Sequence, residues 1–261
     1  MTNSIKTGFN ITFIGAGNVA WHLAPALYEA GNHIVQIYSR TLESAQALAV
    51  KVGAKATNQY NEIEQTAHIY IYAIKDDALQ WVMNHTKIER GLHLHTSGTL
   101  PISIFKATRA NYGCIYPMQT FSKTKGVDLR KVSIFTEANN LDNEVIINNL
   151  AHQISRKVYH LNSDERRKLH LASVFACNFT NLMWIKTEQI LKELDLPIEL
   201  MHSLMTETLN KAKKIKPHNA QTGPAARGDQ RVIDQHIAML ANEPDWQEIY
   251  TLLSEQIKRE F

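Results

Sequence analysis

The chain has 261 residues, enough for one large domain or two ordinary ones around a substantial core, and two is the expectation. With 28 basic and 25 acidic residues its formal charge is only +3, and no basic run or interleaved aromatic stripe occurs, which argues against a nucleic-acid partner. Cys114 and Cys177 stand in apolar contexts without metal-ligand or redox spacing, so they read as buried thiols in a reducing compartment.

In chain order, Met1 to Thr7 is polar and lacks the apolar centre of a signal peptide, which points to a cytoplasmic protein. Asn10 to Ile14 is an apolar, β-branched run that ends in Gly15-Ala16-Gly17-Asn18-Val19-Ala20, and a helix-like stretch from Trp21 to Ala30 follows. The order is strand, tight turn, helix. In that order the first glycine permits the turn, the second leaves no Cβ between main chain and a pyrophosphate, and Ala20 lets helix and strand pack closely. Free N–H groups at the helix start face the phosphates. The competing reading is a glycine-rich turn with no ligand. Gly31-Asn32 stops the helix, and His33 to Tyr38 forms a second strand ending in Ser39-Arg40-Thr41. An acidic residue here would hold a ribose 2′-hydroxyl, whereas a small hydroxyl residue followed by Arg suits a 2′-phosphate. Otherwise it is a solvated strand end with Thr41 as a helix cap.

A helix over 42–51 and a short strand near 54–57 come next. Ala67 to Ile74 reads as a buried strand that opens on Lys75, with Asp76 as the cap of another helix. Ala73, Ile74 and Lys75 would then sit at the C-terminal edge of the sheet, where nucleotides bind. Leu92 to His95 is a strand with His93 and His95 on one face; no third metal ligand lies near, so buried, satisfied imidazoles are expected and no metal. Thr96, Ser97 and Gly98 leave that strand before Pro101 opens a helix. Cys114 to Phe121 contains a strand ended by Pro117, with Gln119 and Thr120 as polar groups at its edge. Val132–Phe135, a helix over 141–154 and Lys157–Leu161 complete an α/β domain with a mainly parallel sheet.

From Ser163 the pattern is helical alone. A long run reaches about Leu194, and its centre, Leu169 to Ile185, is apolar nearly all round. At about 26 Å it nearly matches a bilayer, but Ser173, Asn178, Thr180 and Asn181 interrupt it, so a soluble core or a dimer interface is expected. A helix from Pro197, a loop over 216–228, and helices near 230–241 and 245–259 end the chain. The domains are therefore 1–162 and 163–261.

Together, Gly15-x-Gly17-x-x-Ala20, His95-Thr96-Ser97-Gly98, Tyr116-Pro117-Met118-Gln119-Thr120-Phe121, His170-Leu171-Ala172-x-x-Phe175-Ala176-x-Asn178 and Thr222-Gly223-Pro224-Ala225-Ala226-Arg227-Gly228-Asp229 resemble the two-domain NADP oxidoreductases that follow a Rossmann-like domain with a helical domain of unknown function. These are similar in plan to pyrroline-5-carboxylate reductase, ketopantoate reductase and the deazaflavin-dependent NADP reductases. The resemblance implies NADP as cofactor, a homodimer through the helical domains, and a substrate cleft between domains. It implies cofactor contacts from Gly15 to Val19, from Ser39 to Thr41, from Ala73 to Lys75 and from Thr96 to Gly98. Relatives place a Lys on the long helix beside the nicotinamide; here that face carries His170, Val174 and Asn178. His170 and Asn178 lie about 80° apart round an α-helix and can address one cleft, whereas Lys168 points some 160° away. An imidazole can donate a proton near neutral pH, so His170 and Asn178 are the catalytic candidates, the alternative being a polar pair that fixes helix packing.

The substrate candidates are Gln119, Thr120, Ser173, Thr222, Gly223 and Arg227. The loop over 222–229 resembles one that holds a substrate carboxylate on main-chain N–H groups; structurally it is an interhelical turn in which Asp229 caps the next helix. The reading is an NADP-dependent oxidoreductase acting on a small carbonyl or imine compound that can carry a carboxylate. Its rival is a non-catalytic NADP-binding sensor. A methyltransferase is disfavoured because Ser39-Arg40 stands where an acidic ribose ligand belongs.

Overall fold

The computed structural model describes residues 8–86 and 88–261, so the expectation for Met1 to Thr7 falls outside the described residues. Strands and helices alternate as β1 (Asn10–Ile14), α1 (Asn18–Glu29), β2 (His33–Tyr38), α2 (Leu42–Val52), β3 (Lys55–Thr57), β4 (Ile69–Tyr72), α3 (Asp76–His85), β5 (Leu92–His95), β6 (Tyr112–Pro117), β7 (Ser133–Ala138), α4 (Leu141–Ile154) and β8 (Lys157–His160). The eight strands lie in the order β3-β2-β1-β4-β5-β6-β7-β8. Every neighbour pairing is parallel except β6 with β7. The order reverses between β1 and β4, which makes this the Rossmann-like, doubly wound sheet that the alternating pattern predicts.

The sheet is buried on both faces because its strands alternate between two cores. Ile11 and Phe13 of β1 point with Ile34, Ile37 and Ile71 toward Leu23, Leu27, Leu48 and Leu150 of the helices on one side. Ile14 turns the other way, with Tyr38, Tyr70 and Tyr72, onto Leu79, Val82, Met83 and Phe105. Pro101 introduces only a single 3₁₀ turn, Ile102–Phe105, because four residues suffice to seat Phe105 in that second core.

The helical part comprises α5 (Ser163–Ser173), a π-helical stretch (Val174–Phe179), α6 (Thr180–Lys192), α7 (His202–Ile215), α8 (Pro217–Ala220), α9 (Gln230–Met239) and α10 (Pro244–Glu260). α5 starts on a capping box, with Asn162 accepting from the Asp164 and Glu165 N–H groups and Glu165 accepting from the Asn162 N–H. The chain forms two compact units that divide between Leu182 and Met183, about twenty residues beyond the end of the sheet, because α5 packs on the sheet. In the second unit Asp229 caps α9 as expected, accepting from the Val232 N–H, and Lys186 pairs with Glu243 at 2.5 Å. Among the described residues no helix is long and apolar enough to cross a membrane.

Several local expectations are corrected. α1 starts at Asn18, and the stretch read as the 216–228 loop contains the single turn α8. Cys114 is buried, but Cys177 is exposed. Leu171, Phe175 and Phe179 are 57%, 62% and 48% exposed, so the apolar run from 169 to 185 is no core helix within one chain.

His93 and His95 are fully buried on one face of β5. The His93 ring stacks on Tyr70, its Nδ1 lies 3.1 Å from the Tyr72 hydroxyl, and His95 Nδ1 accepts from the Ser97 N–H. Burial, assisted by Arg109 beside His93 and Arg166 beside His95, pushes both from 6.5 to about 3. The unfolded chain therefore binds more protons than the folded one between those values, and stability is lost as pH falls through that window. At pH 5 this costs about 2 kcal/mol for each imidazole. Melting curves should drop by several degrees from pH 7 to pH 5, and His93→Phe or His95→Phe should remove about half of the drop. A melting temperature indifferent to pH over that range would refute the assignment.

Candidate functional site

β2, β1, β4 and β5 all end on the same edge of the sheet, and a cavity of about 500 Å³ opens there. It is lined by Gly15, Ala16, Gly17, Asn18 and Val19 from the first turn, Ser39 and Arg40 after β2, Ala73, Ile74 and Lys75 after β4, and Thr96 and Ser97 after β5. The cofactor residues expected from the sequence are thus brought together, save two. Thr41 is the backbone N-cap of α2, and Gly98 faces α5. A slightly larger cavity of about 560 Å³ lies against α1 and α4 and includes none of these residues; the strand ends are where the parallel sheet directs ligands, so size does not decide the site.

The two glycines of the turn differ in what requires them. Gly15 has φ +117°, and a Cβ there would sit 2.2 Å from the Ala73 carbonyl oxygen, so β1 and β4 need glycine for the fold itself. At Gly17 a Cβ would meet only that same oxygen, at an ordinary 3.9 Å. Nothing among the described residues demands glycine at 17. What an added methyl would enter is the cavity, at the N-terminus of α1, whose free N–H groups attract an anion. Arg40 and Lys75 border this cavity and also a second one of about 480 Å³, shared with Asp77, Ala78, Trp81 and Val82. Two cations on one cavity, Arg40 after β2 and Lys75 after β4, suit a terminal phosphate, and the whole edge suits a dinucleotide.

At the β5 side, Gly98 carries the main chain directly under α5. A Cβ on Gly98 would come within 2.6 Å of His170 Nδ1 and 2.8 Å of its Cγ, so the imidazole lies flat against the backbone there. His170 Nδ1 is 3.1 Å from the hydroxyl of Tyr116, at the end of β6. Burial raises the Tyr116 phenol above its usual value, so it stays protonated at neutral pH. Ser173, one turn on from His170, donates to the Leu169 carbonyl.

What holds α5 in place is Arg166, one turn before His170 and only 1% exposed. Its guanidinium donates to the Glu137 carboxylate on β7 and to the Leu100 carbonyl, while Ser163 donates to the same carboxylate at 2.8 Å. Arg166, Glu137 and Tyr116 were not singled out from sequence as functional: Arg166 looks like an ordinary first-turn charge behind a capping box. Asp76 was read as the cap of α3, but that position belongs to Lys75. The Asp76 carboxylate instead accepts from Ser97 and Thr99 across the cavity edge.

Asn178 is exposed and lies in the π-helical stretch, whose wider turns change the angle reckoned for an α-helix. No hydrogen bond joins it to His170 among the described residues. Gln119 and Thr120 are exposed beyond β6, with Gln119 accepting from the Thr120 N–H at 2.8 Å. Thr222, Gly223 and Arg227 belong to the second unit; Gly223 takes φ +112°, and Arg227 is exposed.

Comparison with known proteins agrees with this geometry. Residues 10–94 match the family described as NADP oxidoreductase coenzyme F420-dependent, and residues 132–257 match a domain of unknown function, DUF2520. A solved structure from Bacteroides fragilis, provisionally named an NADP oxidoreductase, is 42% identical, with 97% of this chain and 99% of its own covered and a TM-score of 0.91. Protein TM1727 from Thermotoga maritima is 26% identical, with 94% and 98% covered and a TM-score of 0.77. An imine reductase from Myxococcus stipitatus, solved with NADP+, shares the fold at 13% identity and a TM-score of 0.66, with 96% and 92% covered. No curated protein matches the sequence.

The contrast between the two glycines is open to test. Gly15→Ala should destabilise the protein by about 3 kcal/mol or more, since strain and a main-chain clash combine. Gly17→Ala should cost only about 1 kcal/mol as an N-cap change, yet weaken NADPH binding at least about tenfold by crowding the pyrophosphate. Thermal melts and calorimetric titration measure both, and a Gly17→Ala protein with parental affinity would rule out a phosphate at this turn.

Proposed function

The chain belongs to the family of NADP oxidoreductases that join this nucleotide-binding domain to DUF2520, and from that premise we propose that it transfers a hydride between NADP(H) and a small carbonyl or imine compound. The observation that carries this reading is His170, seated on Gly98 and paired with Tyr116 at the nicotinamide side of the nucleotide cavity. Bound NADPH supplies the hydride; the chain supplies position, charge and a proton. The Gly15–Val19 turn receives the pyrophosphate, and Arg40 with Lys75 the 2′-phosphate. In the protonated ring His170 Nδ1–H donates to the Tyr116 hydroxyl oxygen and Nε2–H faces the substrate's oxygen or nitrogen; giving up the Nε2 proton leaves a neutral imidazole, which solvent reprotonates. For the substrate we assign Gln119, Thr120 and Ser173 in the first unit, and Thr222, Gly223 and Arg227 in the second, where Arg227 adds charge for a carboxylate. Asn178 is assigned to substrate orientation.

NADPH oxidation against a panel of keto acids, cyclic imines and aldehydes tests the reading. With any substrate that turns over, His170→Asn should lower turnover by about 10²–10⁴ and leave NADPH affinity unchanged. Tight NADPH binding without turnover across the panel would make the protein a sensor. A His170→Asn protein that melts early but turns over normally would return the imidazole to packing.

We also propose a homodimer through the helical region. Leu171, Phe175 and Phe179 of the first unit and Leu204 and Leu209 of the second are between 48% and 64% exposed in the single chain, and large exposed apolar side chains are what a subunit contact covers. Light scattering at micromolar concentration should give the mass of two chains, and a monomer would show that this surface needs no cover.

A further inference from the structure

Among the described residues Asp76 is the one acidic group in the wall of the nucleotide cavity, and nothing in the roles assigned above explains it. A carboxylate beside a site for a pyrophosphate is electrostatically unfavourable unless it meets a donor of the ligand. Its first residue position on α3 would account for an acid, since the helix start favours negative charge, but Asp77 already supplies one there. The side chain is instead turned away from its own helix. One carboxylate oxygen, Oδ2, accepts from the Ser97 hydroxyl at 2.9 Å and from the Thr99 hydroxyl. Ser97 is held in turn by donation from the Thr99 and Leu100 N–H groups, at 3.0 Å each, into its hydroxyl oxygen. The rotamer is therefore fixed by a closed set of bonds to the turn after β5. The other oxygen, Oδ1, has no hydrogen-bond partner among the described residues, and the residue is exposed.

The position along the sheet edge decides which part of a dinucleotide this free oxygen faces. Arg40, after β2, marks the side where the adenosine 2′-phosphate is assigned, with Lys75, after β4, lining the same second cavity, and the glycine turn at β1 takes the pyrophosphate. Asp76 is tied to the far side, to the turn that ends β5, next to Gly98 and the His170 imidazole. Across the pyrophosphate from the adenosine lies the second ribose. A carboxylate fixed by hydroxyl donors on one oxygen and open on the other is a ready acceptor for ribose hydroxyls, the chemistry that acids at the end of β2 perform in NAD-binding sheets. We propose that Asp76 is a cofactor-positioning residue that accepts hydrogen bonds from the nicotinamide ribose, and so sets the ring beside His170. The carboxylate that recognises ribose has in effect moved from the adenosine half, where Arg40 now stands, to the nicotinamide half.

The inference rests on the NADP reading, and the probes separate the two. 2′,5′-ADP contains the adenosine half and the 2′-phosphate but lacks the second ribose. Calorimetric titrations of NADPH and of 2′,5′-ADP are made with the parent protein and with Asp76→Asn and Asp76→Ala; the Asn variant keeps an oxygen for Ser97 and Thr99. NADPH should bind about ten- to a hundredfold more weakly to Asp76→Ala, and more weakly than parent to Asp76→Asn, while 2′,5′-ADP binds all three proteins within about twofold. Retained 2′,5′-ADP binding also reports that the variants are folded. Undiminished NADPH affinity in both variants, or an equal loss for both ligands, would overturn the role of Asp76. A parent protein that binds 2′,5′-ADP as tightly as NADPH would overturn it as well while leaving the adenosine site standing, and a parent that binds neither would remove both.

Discussion

The candidate site depends on one buried ion pair. Arg166 has almost no exposure; its charge is matched by the Glu137 carboxylate on β7, and it also donates to the Leu100 carbonyl after β5. Isolated, either charge would be prohibitively costly to bury; paired and hydrogen-bonded, they roughly offset that cost and demand a single geometry. The consequence is directional. Residues four apart share a helix face, so with Arg166 anchored to the sheet His170 must arrive on the same side, over Gly98 and within reach of Tyr116. The same guanidinium adds to burial in keeping His95 neutral beneath the site. A helix that begins the helical region thereby becomes part of the sheet's compact unit.

Around that anchor the sheet edge sorts its chemistry by strand. Arg40 follows β2, a close main-chain turn stands where β1 ends, Lys75 and Asp76 follow β4, and the hydroxyls that fix the Asp76 carboxylate stand after β5. The order follows from the crossover between β1 and β4, which parts the strand ends and opens a cavity along them. Gly15 and Gly98 serve close packing, one against Ala73 and the other against His170, whereas Gly17 has no such neighbour and leaves space toward the ligand. Glycines on one sheet edge thus stand there for two different physical reasons.

The apolar run on the long helix shows where pattern alone misleads. Its composition is that of a core helix, and its interruption by a π-helical stretch cannot be seen in residue type. Within one chain its side chains remain largely exposed, and hydrophobic periodicity does not distinguish such a run from a core helix.

Period-two alternation and glycine-rich punctuation determined the doubly wound sheet, most strand and helix positions, and the turn from Gly15 to Val19. These are local properties, written in residues a few positions apart, and the cavity-lining residues at the ends of β1, β2, β4 and β5 follow from them. Contacts between distant segments were decided only by the tertiary structure. Arg166 meets Glu137 across 29 residues, Tyr116 meets His170 across 54, and Ser97 meets Asp76 across 21. No local pattern distinguishes the buried Arg166 from the exposed Arg167 beside it, or an aspartate that caps a helix from one that turns to a neighbouring loop. Burial and partner are set by what the fold brings together, and at this site they turn on single side chains whose surroundings lie elsewhere in the chain.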